Sequence, residues 1–92
     1  MIEILDFKPI GQGSLVASFN AKMHKLGGLI FRRCKLFESK GKRWIQLPGE
    51  GYEIEGKKKH YEHIAYEDRA LNDKMKEKIM HAAQEIRLKE MG

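Results

Sequence analysis

The chain has one cysteine, Cys34, so it closes no intramolecular disulfide and offers no cysteine pair to a zinc ion. That usage suits a reducing cytoplasm. No apolar run approaches the length of a bilayer span, and the opening MIEILDFKPI has neither the charged start nor the apolar core of a secretory signal. We therefore expect a cytoplasmic protein that does not enter a membrane.

Groupings suited to catalysis are also scarce. Gly11-x-Gly13 lacks the third glycine and the following helix of a dinucleotide fingerprint, which leaves a turn. Ser14, Ser18 and Ser39 have no nucleophile-elbow motif around them, and no carboxylates pair for acid–base work. Cys34, mid-strand, reads as a small buried hydrophobe. His60 and His63, three apart in an expected strand, would point to opposite faces, while His24 and His81 show no partners in the sequence. We expect no enzyme, metal site, cofactor or small-molecule substrate.

What the chain does have is positive charge in patterned, foldable sequence. Its 92 residues make one small domain, with 18 Lys and Arg against 13 Asp and Glu, a net charge of +5. The pI is near 9.4. Such a balance favours polyanionic partners, nucleic acid before anionic membrane. With 41% hydrophobic residues in short patterned runs, disorder is not expected.

Ile2 to Ile10 reads as a strand closed by Pro9, followed by a turn at Gly11–Ser14. Ser14 to Met23 alternates, with Leu15, Ala17, Phe19, Ala21 and Met23 on one face, the period of a half-buried strand. His24–Gly28 is the next turn. Leu29 to Pro48 reads as a β-hairpin reversing near Lys40-Gly41. GEGYEIEGKKK then reads as a long loop, at most a small flap around Tyr52 and Ile54. Tyr61 to Tyr66 reads as a short last strand. From Asp68 the period becomes helical, and Leu71, Met75, Ile79, Ala82, Ala83 and Ile86 form one apolar stripe, with Asp68 or Asn72 as N-cap. The expected fold is α+β within residues 1–92: a small antiparallel sheet of about five strands over residues 2–66, then an amphipathic helix over 68–91.

The hairpin carries six basic residues, Arg32, Arg33, Lys35, Lys40, Lys42 and Arg43, against one acid, Glu38. Arg33, Lys35 and Phe37 should share one strand face, opposite Arg32 and Cys34. Guanidinium and ammonium groups beside an aromatic ring can track phosphates while a base stacks on the ring. Lys57, Lys58 and Lys59 suit non-specific phosphate contact, although Glu50, Glu53 and Glu55 precede them. The competing reading is a solvated, charged strand face.

Taken in order, these segments resemble the SpoVG (stage V sporulation protein G, septation regulator) family. The resemblance rests on Gly13-Ser14-Leu15-Val16-Ala17-Ser18-Phe19, Arg43-Trp44-Ile45-Gln46-Leu47-Pro48, Gly56, His63-Ile64-Ala65-Tyr66, and the helix through Asn72, Met75, Ile79 and Ala82-Ala83. It implies an α+β fold that dimerises through its sheet and binds DNA, and in some members RNA, as a bacterial regulator. The chain departs from the family at Gly49-Glu50, where a Ser and basic residues are usual, and at Tyr66-Glu67, where His-Pro is usual.

The functional expectation is a homodimer binding DNA or RNA. Arg32, Arg33, Lys35, Lys40, Lys42, Arg43, Lys57, Lys58 and Lys59 would contact phosphate, and Trp44 or Tyr61 would stack on bases. The alternative is a non-enzymatic protein–protein interaction module whose basic residues serve solubility only. Binding to anionic membrane ranks last, because Glu77, Glu85 and Glu90 mix with the helix lysines.

Overall fold

The computed structural model describes residues 1–91. Four strands, β1 (Ile2–Gln12), β2 (Leu15–Met23), β3 (Leu29–Ser39) and β4 (Lys42–Gln46), form an antiparallel sheet in chain order. Two more, β5 (Gly49–Ile54) and β6 (Lys57–Glu62), pair only with each other as a second antiparallel sheet. The chain ends in one helix, α1 (Arg69–Met91), so the class is α+β.

The strand count and its division differ from expectation: six strands in a four-plus-two arrangement, not about five in one sheet. The segment expected as a loop is the β5–β6 hairpin. Its reversal at Glu55 (φ 51°) and Gly56 (φ 78°) repeats that at Lys40 (φ 51°) and Gly41 (φ 79°). Two successive positive φ values twist a two-residue turn in the same sense as its strands, which is why both places take a glycine. The expected strand over Tyr61–Tyr66 ends at Glu62, and the backbone is irregular until α1 begins.

One face of the four-stranded sheet packs on α1. Ala17, Phe19, Ala21, Phe31, Cys34, Leu36, Ile45 and Leu47 are buried against Met75, Ile79 and Ala83. The alternation of β2 turns Ala17, Phe19, Ala21 and Met23 inward as expected, but an irregularity between Leu15 and Ala17 sets Leu15 opposite Phe37 on the outer face and packs Val16 against the core. Met75, Ile79 and Ala83 follow the helical repeat of four. Leu71 lies beyond the cover and stays about half exposed. Of the two candidate N-caps, Asp68 takes the role, its Oδ1 accepting the Leu71 N–H at 3.1 Å. Asn72 instead accepts the Tyr66 N–H at 3.0 Å, tying down the chain before the helix.

Two bulges flank Asn20. Asp6 and Phe7 oppose Phe19 alone, and Arg32 and Arg33 oppose Asn20 alone. Asp6 (φ 52°) and Arg33 (φ 62°) are both left-handed, an unfavourable backbone for residues with a Cβ. The Asn20 side chain holds both sides. Its Nδ2 donates to Asp6 Oδ2 at 2.9 Å, and its Oδ1 accepts the Arg33 backbone N–H at 3.1 Å. The second bulge changes the expected facing of β3: Phe31 and Cys34 both point inward, three residues apart, and Arg32 joins Arg33 in being exposed.

Candidate nucleic-acid interface

The sheet face turned away from α1 is the candidate site. Cross-strand partners share a face, so the register assigns its side chains. One row runs Lys8, Ser18, Lys35, Gln46 across all four strands. A second runs Leu15, Phe37, Trp44, and beyond it Ser39 faces Lys42. On the other side of the first row stand Leu5 and Asn20 with the bulged arginines, then Lys22 beside Ile30. Lys8, Lys22, Arg33, Lys35 and Lys42 therefore occupy one surface, with Glu3 and Asp6 its acids.

Both acids have other partners. Glu3 lies 2.9 Å from the His24 ring, and Asp6 accepts from Asn20. Among the described residues, none of the five cations lies within ion-pairing distance of a carboxylate. Their charge is left to solvent or a ligand. Between the rows of Lys42 and Lys35, Phe37 and Trp44 stack, ring centroids 5.5 Å apart and planes 6° from parallel. Trp44 remains 44% exposed on β4, the edge strand.

Not every residue expected at the site gathers here. Arg33, Lys35, Lys42 and Trp44 share the face. Arg32 stands in the bulge beside it and Lys40 in the turn at its end. Arg43 faces the helix side: opposite Glu38 in the register, it pairs with that carboxylate at 3.4 Å. Glu38 also takes a two-pronged contact from Arg87 of α1, at 3.1 and 3.4 Å. The Arg87 hydrogen bonds, reinforced by Arg43, hold the Glu38 carboxyl below its ordinary value. Arg43 therefore contributes to tertiary structure, its charge shared with Glu38.

Lys57, Lys58, Lys59 and Tyr61 lie on β6, in the other sheet. Lys57, Lys59 and Tyr61 share a face with Glu50, Tyr52 and Ile54, while Lys58 is on the reverse opposite Glu53. This arm is attached at its base. Glu62 accepts the Leu47 N–H at 2.7 Å and pairs with Lys76 at 3.0 Å, and His60 Nε2 donates to the Leu47 carbonyl at 3.2 Å. His63 donates its backbone N–H to the Pro48 carbonyl at 2.8 Å.

The histidines thus have partners that the sequence did not reveal: Glu3 for His24, Leu47 for His60, Glu50 for His63 and Glu77 for His81. Burial pushes the Cys34 thiol up to about 12, which suits a packing role. Lys8, Lys22 and Gln46 are the members of the face that sequence reading missed. Lys8 and Lys22 lie outside the basic hairpin, and only the pairing of β1 and β2 with β3 brings them in. A clear signal for Lys22 was its place on the polar side of the β2 alternation.

No helix is long and apolar enough to cross a membrane among the described residues. Comparison with protein-family models, with curated proteins and with solved structures finds no match for this chain.

Proposed function

We propose that this chain is a small nucleic-acid-binding protein for DNA or RNA, a cytoplasmic SpoVG-like regulator that acts as a homodimer and not as an enzyme. The reading rests on one observation: five cations without a carboxylate partner among the described residues share a sheet face, turned away from α1, with an exposed aromatic stack that Lys35 and Lys42 flank. Phosphates engage the cations, and the rings offer apolar contact to bases. The arm supplies Lys57 and Lys59 as a second contact. Dimer formation is supported by the unpaired edges of β1 and β4, and by an arm that is only two strands wide yet exposes Tyr52, Ile54 and Tyr61.

Fluorescence anisotropy with labelled oligonucleotides tests the reading. Each neutralised phosphate adds about 0.7–0.9 to the slope of log affinity against log salt. Five contacts then weaken binding roughly a hundredfold or more between 50 and 200 mM salt. Lys35→Glu should remove most of the binding. Absence of binding to both single- and double-stranded probes at low salt would overturn the proposal. Light scattering at high micromolar concentration tests the dimer, and a monomer mass rejects it.

A second reading, the protein-interaction module, is favoured by a cleft of about 590 Å³ between α1 and the ends of β1 and β2. Met23, Leu26, Leu71 and Met75 line it together with Lys25, Lys74, Lys78 and one acid, Glu85, and the three lysines have no carboxylate partner among the described residues. An apolar segment bearing carboxylates fits such a cleft. Lys74→Glu with Lys78→Glu should abolish that capture and leave oligonucleotide binding in place. Lys35→Glu should do the reverse.

A further inference from the structure

We infer that the outer sheet face takes nucleic acid as a single strand, with one base continuing the Phe37–Trp44 stack. This rests on the proposed function and specifies the ligand. The first support is shape. Four strands at a spacing of about 4.8 Å span roughly 14 Å between the outer axes, before side chains are added. The duplex major groove is about 12 Å wide and admits a helix or a two-stranded ribbon. The four-stranded face that carries Lys8, Lys35 and Trp44 is too broad to enter it.

The second support is the arrangement of the rings. Phe37 and Trp44 occupy facing positions on β3 and β4, and their planes are nearly parallel. Phe37 covers one side of the indole. β4 is the last strand of its sheet, so no neighbouring strand places a side chain over the other side. A flat, apolar surface at 44% exposure is left beside charged groups. Within a duplex, an interior base already has stacking neighbours above and below and presents no open face. A base in a single strand does.

The third support is what surrounds the indole. Along β4, Lys42 and Gln46 lie two residues either side of Trp44 on the same face, with Ile45 turned into the core between Trp44 and Gln46. Across from them Lys35 and Ser39 bracket Phe37. A strand with its base on Trp44 therefore has an ammonium group on either side for its backbone, and a side-chain amide beside Lys35. Such contacts ask for a π-face and phosphates, with little demand on base identity.

Trp44 is the only tryptophan, so its emission reports directly on the site. The intact chain is titrated with a thymidine oligomer and with a mixed-sequence duplex of equal length, reading indole fluorescence and anisotropy together. The expected result is quenching and tighter binding with the single strand, and no quenching with the duplex. Trp44→Ala should weaken single-strand binding by about 10- to 100-fold, and Trp44→Phe should restore most of it. Circular dichroism of each variant confirms that the sheet persists. Equal affinity for both probes without quenching, or an unchanged affinity in Trp44→Ala, overturns the single-strand inference and leaves nucleic-acid binding standing. Failure of both probes to bind at low salt removes the two together.

Discussion

Asn20 is the residue whose replacement best tests how the outer face is built. Its amide bridges two left-handed residues on different strands, donating to Asp6 and accepting from the Arg33 backbone. Asn20→Ala removes both bonds and leaves the Arg33 N–H to water. Each bond contributes about 0.5–1.5 kcal/mol net, and the half-exposed setting argues for the lower part of that range. The loss should be about 1–2 kcal/mol, with the two left-handed residues no longer held in place. In a domain of this size that lowers the melting temperature by roughly 4–16 °C. Asn20→Asp is the sharper variant. It keeps an oxygen for the Arg33 N–H but replaces the donor with a carboxylate 2.9 Å from that of Asp6. Two carboxylates so close cannot both ionise freely, so one is raised in the folded state above its unfolded value. The destabilisation is then complete above the raised value and disappears as pH falls below the unfolded value, about 3.9 for Asp. Urea denaturation from pH 3.5 to 8 should show the Asn20→Asp deficit closing toward acid, with Asn20→Ala parallel to the parent throughout. An Asn20→Ala stability within about 0.3 kcal/mol of the parent would refute the bridging role. So would an Asn20→Asp deficit that ignores pH.

Three further outcomes follow from particular contacts. Glu38→Gln should lower the urea midpoint at neutral pH, since the charged carboxylate holds Arg87 and Arg43. The folded value lies below the ordinary 4.5, so this contribution is fully present above about pH 4.5 and is lost as pH falls through the lower folded value. The parent and variant midpoints should converge toward acid. Cys34, fully buried with its thiol at about 12, should resist a thiol reagent at pH 8 and react at the rate of unfolding, measured by the release of a chromophoric thiolate. Gly49→Ala should loosen the arm, because a Cβ there would fall on the Tyr61 carbonyl and within 2.8 Å of the Glu62 Cα and the His60 ring. Faster amide exchange over residues 49–62, with the four-stranded sheet unchanged, is the readout.

Periodicity made much of the fold legible. The alternation from Ala17 to Met23 needed no tertiary information, because a strand half-buried on one face must place its apolar residues at every second position. The helix was equally clear from Met75, Ile79 and Ala83, and the β3–β4 turn from Lys40-Gly41. The β5–β6 arm was harder to see. Its strands are exposed on both faces apart from His60 and Glu62, so no apolar alternation marks them. Glu55-Gly56 was the available signal, a second copy of the charged-residue–glycine reversal.

Local sequence by itself determined the β2 strand, the β3–β4 hairpin with its turn, the C-terminal helix, and that positive charge concentrates around that hairpin. These properties depend on neighbours a few residues away. Only the tertiary structure decided which cations face outward together. A bulge opposite Asn20 adds one residue to β3 and brings Arg32 out beside Arg33, which simple alternation cannot anticipate. Pairing with β1 and β2 brings Lys8 and Lys22 to the same surface across large sequence separations. Pairing of β4 with β3 sets Arg43 opposite Glu38 on the helix side, and packing of α1 brings Arg87 to the same carboxylate. Side-chain facing depends on register, and register is a relation between strands that no single stretch of chain contains.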